Sequence, residues 1–323
     1  TVRKPATFTA SEHNGTTISI QDAKESGVDV KMDKLVDVSF SITSREMTLS
    51  LVDFTEQFVA PAMRAHAQYL DALLAGLYID IPYNSAVSAT PKIDDWANTS
   101  KVLNQNKAPL SQRNMVLDPV THAKYVVLDA ILHAEKSGTT EALRSANIGK
   151  VLGFDSYMDQ NVVSHKKGTL DANATGTVDV SEDPTLVTVA SGGNVKTVKK
   201  GDIVTFADTD GSYVVLADAA TIADGSGTFN VYPALKEDIT TKKITVKADH
   251  ISNLAFHRNA FALVTRPLES PLGASKAEVI SHNGMSLRVV YGYDMQKKAD
   301  IVSIDMLCGV KTLTPELASR FLG

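Results

Sequence analysis

Residues 28–42 carry the pattern that most constrains how this chain folds. Apolar side chains occupy alternate positions with one lapse at Lys34: Val28, Val30, Met32, Val36, Val38, Phe40 and Ile42. This is the period of a β-strand, and it lasts far longer than the usual strand of about five or six residues. The segment from Val2 to Ala10 is predicted as an antiparallel partner, with residues 12–25 at the far end of the resulting ribbon.

A long two-stranded ribbon has too little surface of its own to bury its apolar face. We therefore expect the ribbon to lie on a neighbouring molecule. The candidate contacts at its far end are Glu12, His13, Asn14, Asp22, Lys24 and Glu25.

The longest helical pattern follows the ribbon, from Leu51 to Tyr78. Ser50 is a candidate N-cap with Asp53 as its reciprocal partner, and Pro61 is expected to kink the helix or begin its second half. The predicted apolar stripe recurs at three- and four-residue steps and consists of Leu51, Phe54, Phe58, Ala62, Ala65, Tyr69, Leu73 and Leu77.

The next region mixes short helices and strands. Helices are predicted over residues 93–106, 119–133 and 139–146, and a short strand over 115–117. Trp96, Ser100 and Leu103 are expected to face inward from the first of these helices.

The composition changes at about Gly168, and as far as Ala248 the chain is rich in Thr, Val, Gly and Asp. Strand-like runs lie at 186–189, 203–206, 213–216, 228–232 and 244–247, with Gly-containing turns between them. Short strands with such turns predict a small barrel or sandwich. Beyond it, strands are predicted at 254–264, 286–293 and 301–310. A short terminal helix is expected after Thr314-Pro315-Glu316, which reads as an N-cap, a proline at N1 and an acidic first turn.

Four segments carry a resemblance to a known family. They are residues 153–161 (GFDSYMDQN), 254–264 (LAFHRNAFALV), 286–294 (SLRVVYGYD) and 301–318 (IVSIDMLCGVKTLTPELA). Together they resemble tailed-bacteriophage major capsid proteins of the P-twenty-two coat type. The resemblance implies an α+β chain with the Hong Kong 97 capsid fold. That fold has an N-arm and E-loop hairpin, a long spine helix, peripheral and axial domains and, here, an inserted β-barrel-like domain.

On this resemblance the chain divides into five parts. Residues 1–50 form the N-terminal arm and E-loop ribbon, 51–79 the spine helix of the peripheral domain, and 80–167 the first part of the axial domain. Residues 168–250 form the inserted β domain, and 251–323 supply further axial and peripheral strands with a C-terminal helix.

The resemblance also implies a function and partners. The subunit would self-assemble as hexamers and pentamers into an icosahedral shell around double-stranded DNA, without sequence-specific DNA binding. Portal, scaffolding and decoration proteins would accompany it in a virion assembled in the bacterial cytoplasm. The sequence does not begin with Met, so we expect an N-terminal segment to have been removed or to be missing.

Composition limits the classes of function. The formal charge of −5 argues against a protein that condenses nucleic acid, since neutralising phosphates requires clustered Lys and Arg. No run of about 18 apolar residues predicts a membrane span, and the first residues do not form a signal peptide. Cys308 is the only cysteine, which excludes an intrachain disulfide.

The motif most like a metal site is Asp208-Thr-Asp-Gly211. A calcium loop of the EF-hand type requires a Glu at its twelfth position, and here that position is Ala219. We therefore interpret the segment as a hairpin turn and keep Asp208 and Asp210 as candidate intersubunit contacts. The eight histidines have no metal-ligand spacing, and no catalytic constellation is recognisable, so no cofactor, metal or enzymatic activity is predicted.

One alternative from another class stays open at this point. The β-rich middle and turn-rich surface also suit a secreted binding or adhesion module. The long helix and the absence of a signal peptide argue against that alternative.

Overall fold

The computed structural model describes residues 1–4, 8, 10, 12, 27–43, 55–88, 90–133, 135, 138, 140–170, 173–190, 196–222, 226–271, 276–282 and 285–323. By contacts the chain divides into two compact units. The first unit comprises residues 1–67 and 262–313, and the second comprises 68–261 and 314–323.

The helices and strands before residue 168 are mostly short. They are β1 (Val2–Arg3), β2 (Gly27–Val28), β3 (Lys34–Thr43), α1 (Ala60–Ala75), β4 (Asn84–Ala86), α2 (Ile93–Gln105), β5 (Arg113–Leu117), α3 (Pro119–Val126), α4 (Asp129–Leu132), α5 (Glu141–Ser145), β6 (Lys150–Val151), β7 (Phe154–Met158) and β8 (Ser164–His165).

The remainder of the described chain is almost entirely strands. They are β9 (Thr175–Val178), β10 (Leu186–Ala190), β11 (Lys196–Val198), β12 (Ile203–Phe206), β13 (Tyr213–Val215), β14 (Ala219–Ile222), β15 (Ser226–Tyr232), β16 (Ile239–Val246), β17 (His250–His257), β18 (Phe261–Arg266), β19 (Lys276–His282), β20 (Met285–Asp294), β21 (Ala299–Thr312) and β22 (Ala318–Leu322).

The first unit is built on a five-stranded sheet in the order β18-β21-β20-β19, with β3 also paired to β21. Strand β3 runs antiparallel to β21, with Lys34 opposite Cys308 and Thr43 opposite Ala299. Its burial alternates along its length, as the period of the sequence predicted. Val302 and Ile304 of β21 pack with Ala62 of α1 in the apolar core of this unit.

The predicted ribbon is only partly correct. Val2 pairs with Val28 and Arg3 with Gly27, so an antiparallel contact between the two segments exists. The prediction that Val2 to Ala10 pairs along residues 28–42 is wrong for β3, which pairs with β21 instead. Joining a five-stranded sheet buries the alternating apolar face, which a two-stranded ribbon cannot do.

The predicted long helix is also different in detail. A π-helical turn covers Thr55–Val59, α1 covers Ala60–Ala75, and a 3-10 turn covers Gly76–Asp80. The proposed cap at Ser50 lies outside the described residues. The stripe prediction was wrong at Ala65 and Tyr69, which are exposed, because the buried line passes through His66 and Leu70.

The second unit contains a seven-stranded sheet in the order β4-β22-β17-β5-β7-β6, with β8 paired to β17. Helices α2 to α5 contribute to its main apolar core, which centres on Trp96, Tyr125, Phe154 and Phe321. Trp96 and Leu103 are fully buried as predicted. The helix predicted over 119–133 is interrupted between Val126 and Asp129, and the one over 139–146 is observed as α5.

A closed six-stranded barrel in the order β10-β15-β13-β12-β16-β9 lies between β8 and β17 in sequence. Each strand-like run predicted between residues 186 and 247 coincides with one of its strands. Strands β11 and β14 form a separate antiparallel pair. The barrel has its own apolar core, in which Val187, Val189, Val204 and Val231 are fully buried.

The predicted terminal helix is wrong. Only Pro315–Leu317 form a 3-10 turn, and residues 318–322 continue as the wholly buried strand β22. This strand pairs in parallel with β4 and antiparallel with β17. The backbone hydrogen bonds that β22 makes to β4 and β17 outweigh the helix-capping signal of Thr314-Pro315-Glu316. The strand predicted over 254–264 is likewise divided into β17 and β18 by a 3-10 turn at Arg258–Ala260.

Candidate functional site

The Asp208–Gly211 segment is a hairpin turn, as the sequence predicted. It joins β12 to β13, which pair antiparallel through Ile203–Val214 and Val204–Tyr213. Asp208 and Gly211 have positive φ angles of 56° and 117°, conformations that Asp and Gly adopt readily in turns.

Both aspartates of this turn are exposed. The Nζ atom of Lys242 donates to Oδ2 of Asp208 at 3.1 Å, and the Asp208 side chain is 83% exposed. Within the described part of the chain, no group of three or more His, Cys, Asp or Glu side chains is placed to hold a metal ion.

The turn forms one wall of a groove of about 960 Å³, whose lining includes Tyr83, Asn84, Gln105, Asp210, Tyr213 and Glu237. The Asn84 amide donates to Oγ of Ser212 at 2.9 Å, so a hydrogen bond joins two residues of the lining. Burial, with a smaller effect of the Glu237 charge, raises the pKa of Tyr213. The lining offers hydrogen-bonding and acidic groups, which suit a contact surface.

Of the predicted arm contacts, only Glu12 lies among the described residues, and it is exposed. His13, Asn14, Asp22, Lys24 and Glu25 lie outside the described residues.

Sequence reasoning missed a buried polar cluster where the barrel meets the seven-stranded sheet. Asp202, in the turn before β12, is buried and accepts hydrogen bonds from the backbone nitrogens of Gly168 (3.0 Å) and Lys199 (2.8 Å). It also lies 2.8 Å from Nε2 of His165. Nδ1 of His165 is 2.9 Å from the Tyr78 hydroxyl. One imidazole therefore links the barrel turn to the segment after α1.

Arg320 on β22 completes this cluster. Its guanidinium is fully buried, donates to the carbonyl oxygen of Gly201 at 2.7 Å and lies 5.1 Å from the centroid of the Tyr78 ring. Its Nε and Nη2 atoms have no hydrogen-bond partner. Burial lowers the pKa of Arg320 to about 9, and the nearby Tyr78 side chain and the Asp202 and Asp80 carboxylates offset this only in part.

His250 stacks beside His165, with ring centroids 5.3 Å apart. Its Nδ1 is 2.8 Å from the Ala248 carbonyl oxygen, whereas its buried Nε2 has no partner. Burial lowers the pKa of His250 and the Arg320 charge lowers it further, while the hydrogen bond with the Ala248 carbonyl and the Asp202 charge offset this only in part. The only sequence signal for this cluster was the turn sequence Lys199-Lys-Gly-Asp202, which carries no indication of His165 or Arg320.

Three other buried groups, two histidines and the cysteine, have structural roles. Nε2 of His66 lies 2.9 Å from the Ile304 carbonyl oxygen, and Nδ1 of His257 accepts from the Asn259 backbone at 3.2 Å. Cys308 is buried, and burial raises the pKa of its thiol, which disfavours the reactive thiolate. No helix of the described residues is long and apolar enough to cross a membrane.

Two solved phage structures are similar to this chain. A structure from Mycobacterium phage Che8 matches with a TM-score of 0.53 and 15% identity, covering 99% of this chain and 82% of that chain. The capsid structure of cyanophage P-SCSP1u matches with a TM-score of 0.54 and 14% identity, also covering 99% and 82%. No family model and no curated protein matches the sequence.

At such low identity the likeness shows the fold alone, and that fold is shared with a cyanophage capsid structure. The mixed architecture of sheets and few helices agrees with it. The secreted adhesion module is not favoured, because the structural similarity extends over almost the whole chain and is to phage structures.

Proposed function

We propose that this chain is the major capsid protein of a tailed bacteriophage and that it self-assembles into the icosahedral head shell. The observation that carries the proposal is the similarity over 99% of the chain to a cyanophage capsid structure. The proposed role is structural, as the similarity to a capsid structure suggests.

The finer assignment is the Hong Kong 97 type with an inserted β domain at 168–250. Two observations support an insertion. Strand β8 pairs with β17 through His165–His250 and Ser164–Ile251, and the backbone nitrogen of Lys167 donates to Asp249 Oδ1 at 3.0 Å. The two ends of the barrel segment are therefore adjacent, as expected for a domain inserted into a parent fold.

We assign two surfaces to contacts between subunits. The first is the far end of the arm, residues 12–25, which would lie on an adjacent chain. The second is the exposed turn with Asp208 and Asp210, beside the groove described above. Each would contribute to hexamers and pentamers of the shell.

Further partners follow from a capsid role. Double-stranded DNA would fill the shell without sequence-specific contacts, in keeping with the formal charge of −5. Portal, scaffolding and decoration proteins would join the virion, and assembly would take place in the cytoplasm of the host bacterium.

Size-exclusion chromatography and negative-stain electron microscopy of the purified protein test the proposal. We expect material in the void volume that consists of discrete closed shells. A protein that stays monomeric and binds a glycan would instead restore the adhesion module.

A further inference from the structure

The barrel and the seven-stranded sheet have separate apolar cores. The barrel cluster contains only residues between Leu170 and Ile244, with Val180 and Val246 packed against it. Among the described residues, the apolar clusters built on the sheet include none from the barrel. Since hydrophobic burial is the main force that holds two layers together, something else must fix the barrel to the sheet.

The contacts that join them are largely polar. They are Ser212 Oγ to Pro82 O (3.0 Å), Asn84 Nδ2 to Ser212 Oγ (2.9 Å), Tyr232 OH to Glu316 Oε1 (2.5 Å), Lys200 Nζ to Asp80 Oδ1 (4.0 Å), Arg320 Nη1 to Gly201 O (2.7 Å) and His165 to Asp202 (2.8 Å). Of these, only the last two lie in the fully buried cluster of His165, Asp202, Arg320, Tyr78 and His250.

Close packing makes this cluster sensitive to small displacements. A Cβ on Gly201 would lie 2.9 Å from Ile79 Cγ2 and 3.3 Å from its Cα, and Gly201 has a φ of +89°. The barrel turn therefore sits directly against the backbone of the segment after α1. His165, Asp202, His250 and Arg320 are themselves buried, so a charge that appears among them is poorly hydrated.

We propose that this cluster is a latch that opens on acidification, so that the barrel detaches from the seven-stranded sheet while keeping its own fold. The essential group is His250. Its Nδ1–H donates to the Ala248 carbonyl, so its second proton would be added at Nε2, which is buried without an acceptor.

The titratable and charged groups that face His250 come from three elements. They are the imidazole of His165 on β8, the Arg320 guanidinium on β22 and the Asp202 carboxylate of the barrel turn. Asp202 is already engaged by three hydrogen-bond donors. Protonated His250 would therefore be a second buried cation beside Arg320, and its new N–H would have no hydrogen-bond acceptor. When the barrel separates from the sheet, water can hydrate this imidazolium.

The direction of the pH effect follows from linkage. Burial places the pKa of His250 in the folded protein below its ordinary value of 6.5. The detached state then binds more protons than the latched state below about pH 6.5, so latching weakens as the pH falls through this range and is fully stable above it.

Hydrogen–deuterium exchange of the full chain at about pH 7.5 and 5.5, corrected for intrinsic rates, tests the latch. At the lower pH we expect protection in β8, β22 and the turn 199–202 to fall by about tenfold or more. Protection in barrel strands β12 and β15 is expected to be unchanged. Equal protection of the latch at both pH values, or simultaneous loss in latch and barrel, would overturn the proposal.

Two substitutions locate the titrating group. H250Q keeps an amide donor for the Ala248 carbonyl but has no charge to gain, so its latch should exchange equally at both pH values. H257Q is the matched control, because His257 is also buried with a lowered pKa but lies outside the cluster; it should retain the wild-type pH response. A pH response that survives in H250Q would refute the role of this histidine. If H250Q does not fold at pH 7.5, the wild-type exchange profile decides alone.

Discussion

Gly309, in β21, tests the close packing of this strand against residues 31–32, which precede β3. A Cβ at this position would lie 2.1 Å from the carbonyl oxygen of Lys31 and 3.1 Å from Cα of Met32. Both neighbours are backbone atoms, so no change of rotamer relieves the clash. Residues 31–32 would have to move by roughly 1 Å, and overpacking of this kind costs about 1–3 kcal/mol.

We therefore expect G309A to lower the free energy of unfolding by about 3 kcal/mol, the upper end of that range, because the obstruction is main chain. Its melting temperature should fall by about 6 °C or more. Gly292 in the neighbouring strand β20 is the matched control, since an added Cβ there meets nothing within 4 Å. G292A should be neutral or up to about 1 kcal/mol more stable, because alanine restricts the unfolded chain.

Thermal and denaturant unfolding of both variants, with particle yield measured in parallel, makes the comparison. G309A should lose particles as well as stability, because residues 31–32 lead into the arm. If G309A is as stable as G292A, the close approach of β21 to residues 31–32 is wrong.

Three further outcomes are expected. F58A and L73A should each lower the free energy of unfolding by about half of the 2–5 kcal/mol that truncating a fully buried side chain costs, because both side chains are half-buried. Thermal melts of the subunit would measure this loss. D208N and D210N should leave particle yield unchanged, because Asn suits an exposed turn equally well and keeps a hydrogen-bonding side chain for the proposed contact; lost particles at normal stability would show that the contact needs the carboxylate charge. Deletion of residues 170–247 should leave a foldable parent domain with a native-like circular dichroism spectrum, and a fully unfolded product would contradict the insertion.

The period of residues 28–42 was readable from the sequence because burial alternates along β3. The strand that pairs with β3 could not be predicted from the sequence, because β21 lies more than 250 positions further along the chain and no local signal specifies the pair. The alternation reports which face is buried and says nothing about what covers it.

The stripe on α1 shows a different limit. The predicted stripe consists only of apolar residues and so omits His66, whose imidazole is buried and lies 2.9 Å from the Ile304 carbonyl oxygen. A buried histidine satisfied by a distant backbone group cannot be distinguished from a surface one by residue type alone.

The candidate surfaces were predictable to different degrees. The Asp208–Gly211 turn was recognised because turn chemistry is local. The cluster around Arg320 joins residues from β8, the segment after α1, the barrel turn and β22, so only the folded chain brings it together. The incorrect prediction of a terminal helix contributed to this failure, because residues 318–322, which include Arg320, are in fact the buried strand β22.

A cryo-electron microscopy reconstruction of the assembled protein would show whether this chain builds a capsid. We expect a closed icosahedral shell in which this chain is the repeating subunit. The barrel should be visible on each copy, and residues 12–25 should contact a different chain. An assembly without icosahedral symmetry, or a shell in which residues 12–25 fold back onto their own subunit, would contradict this expectation.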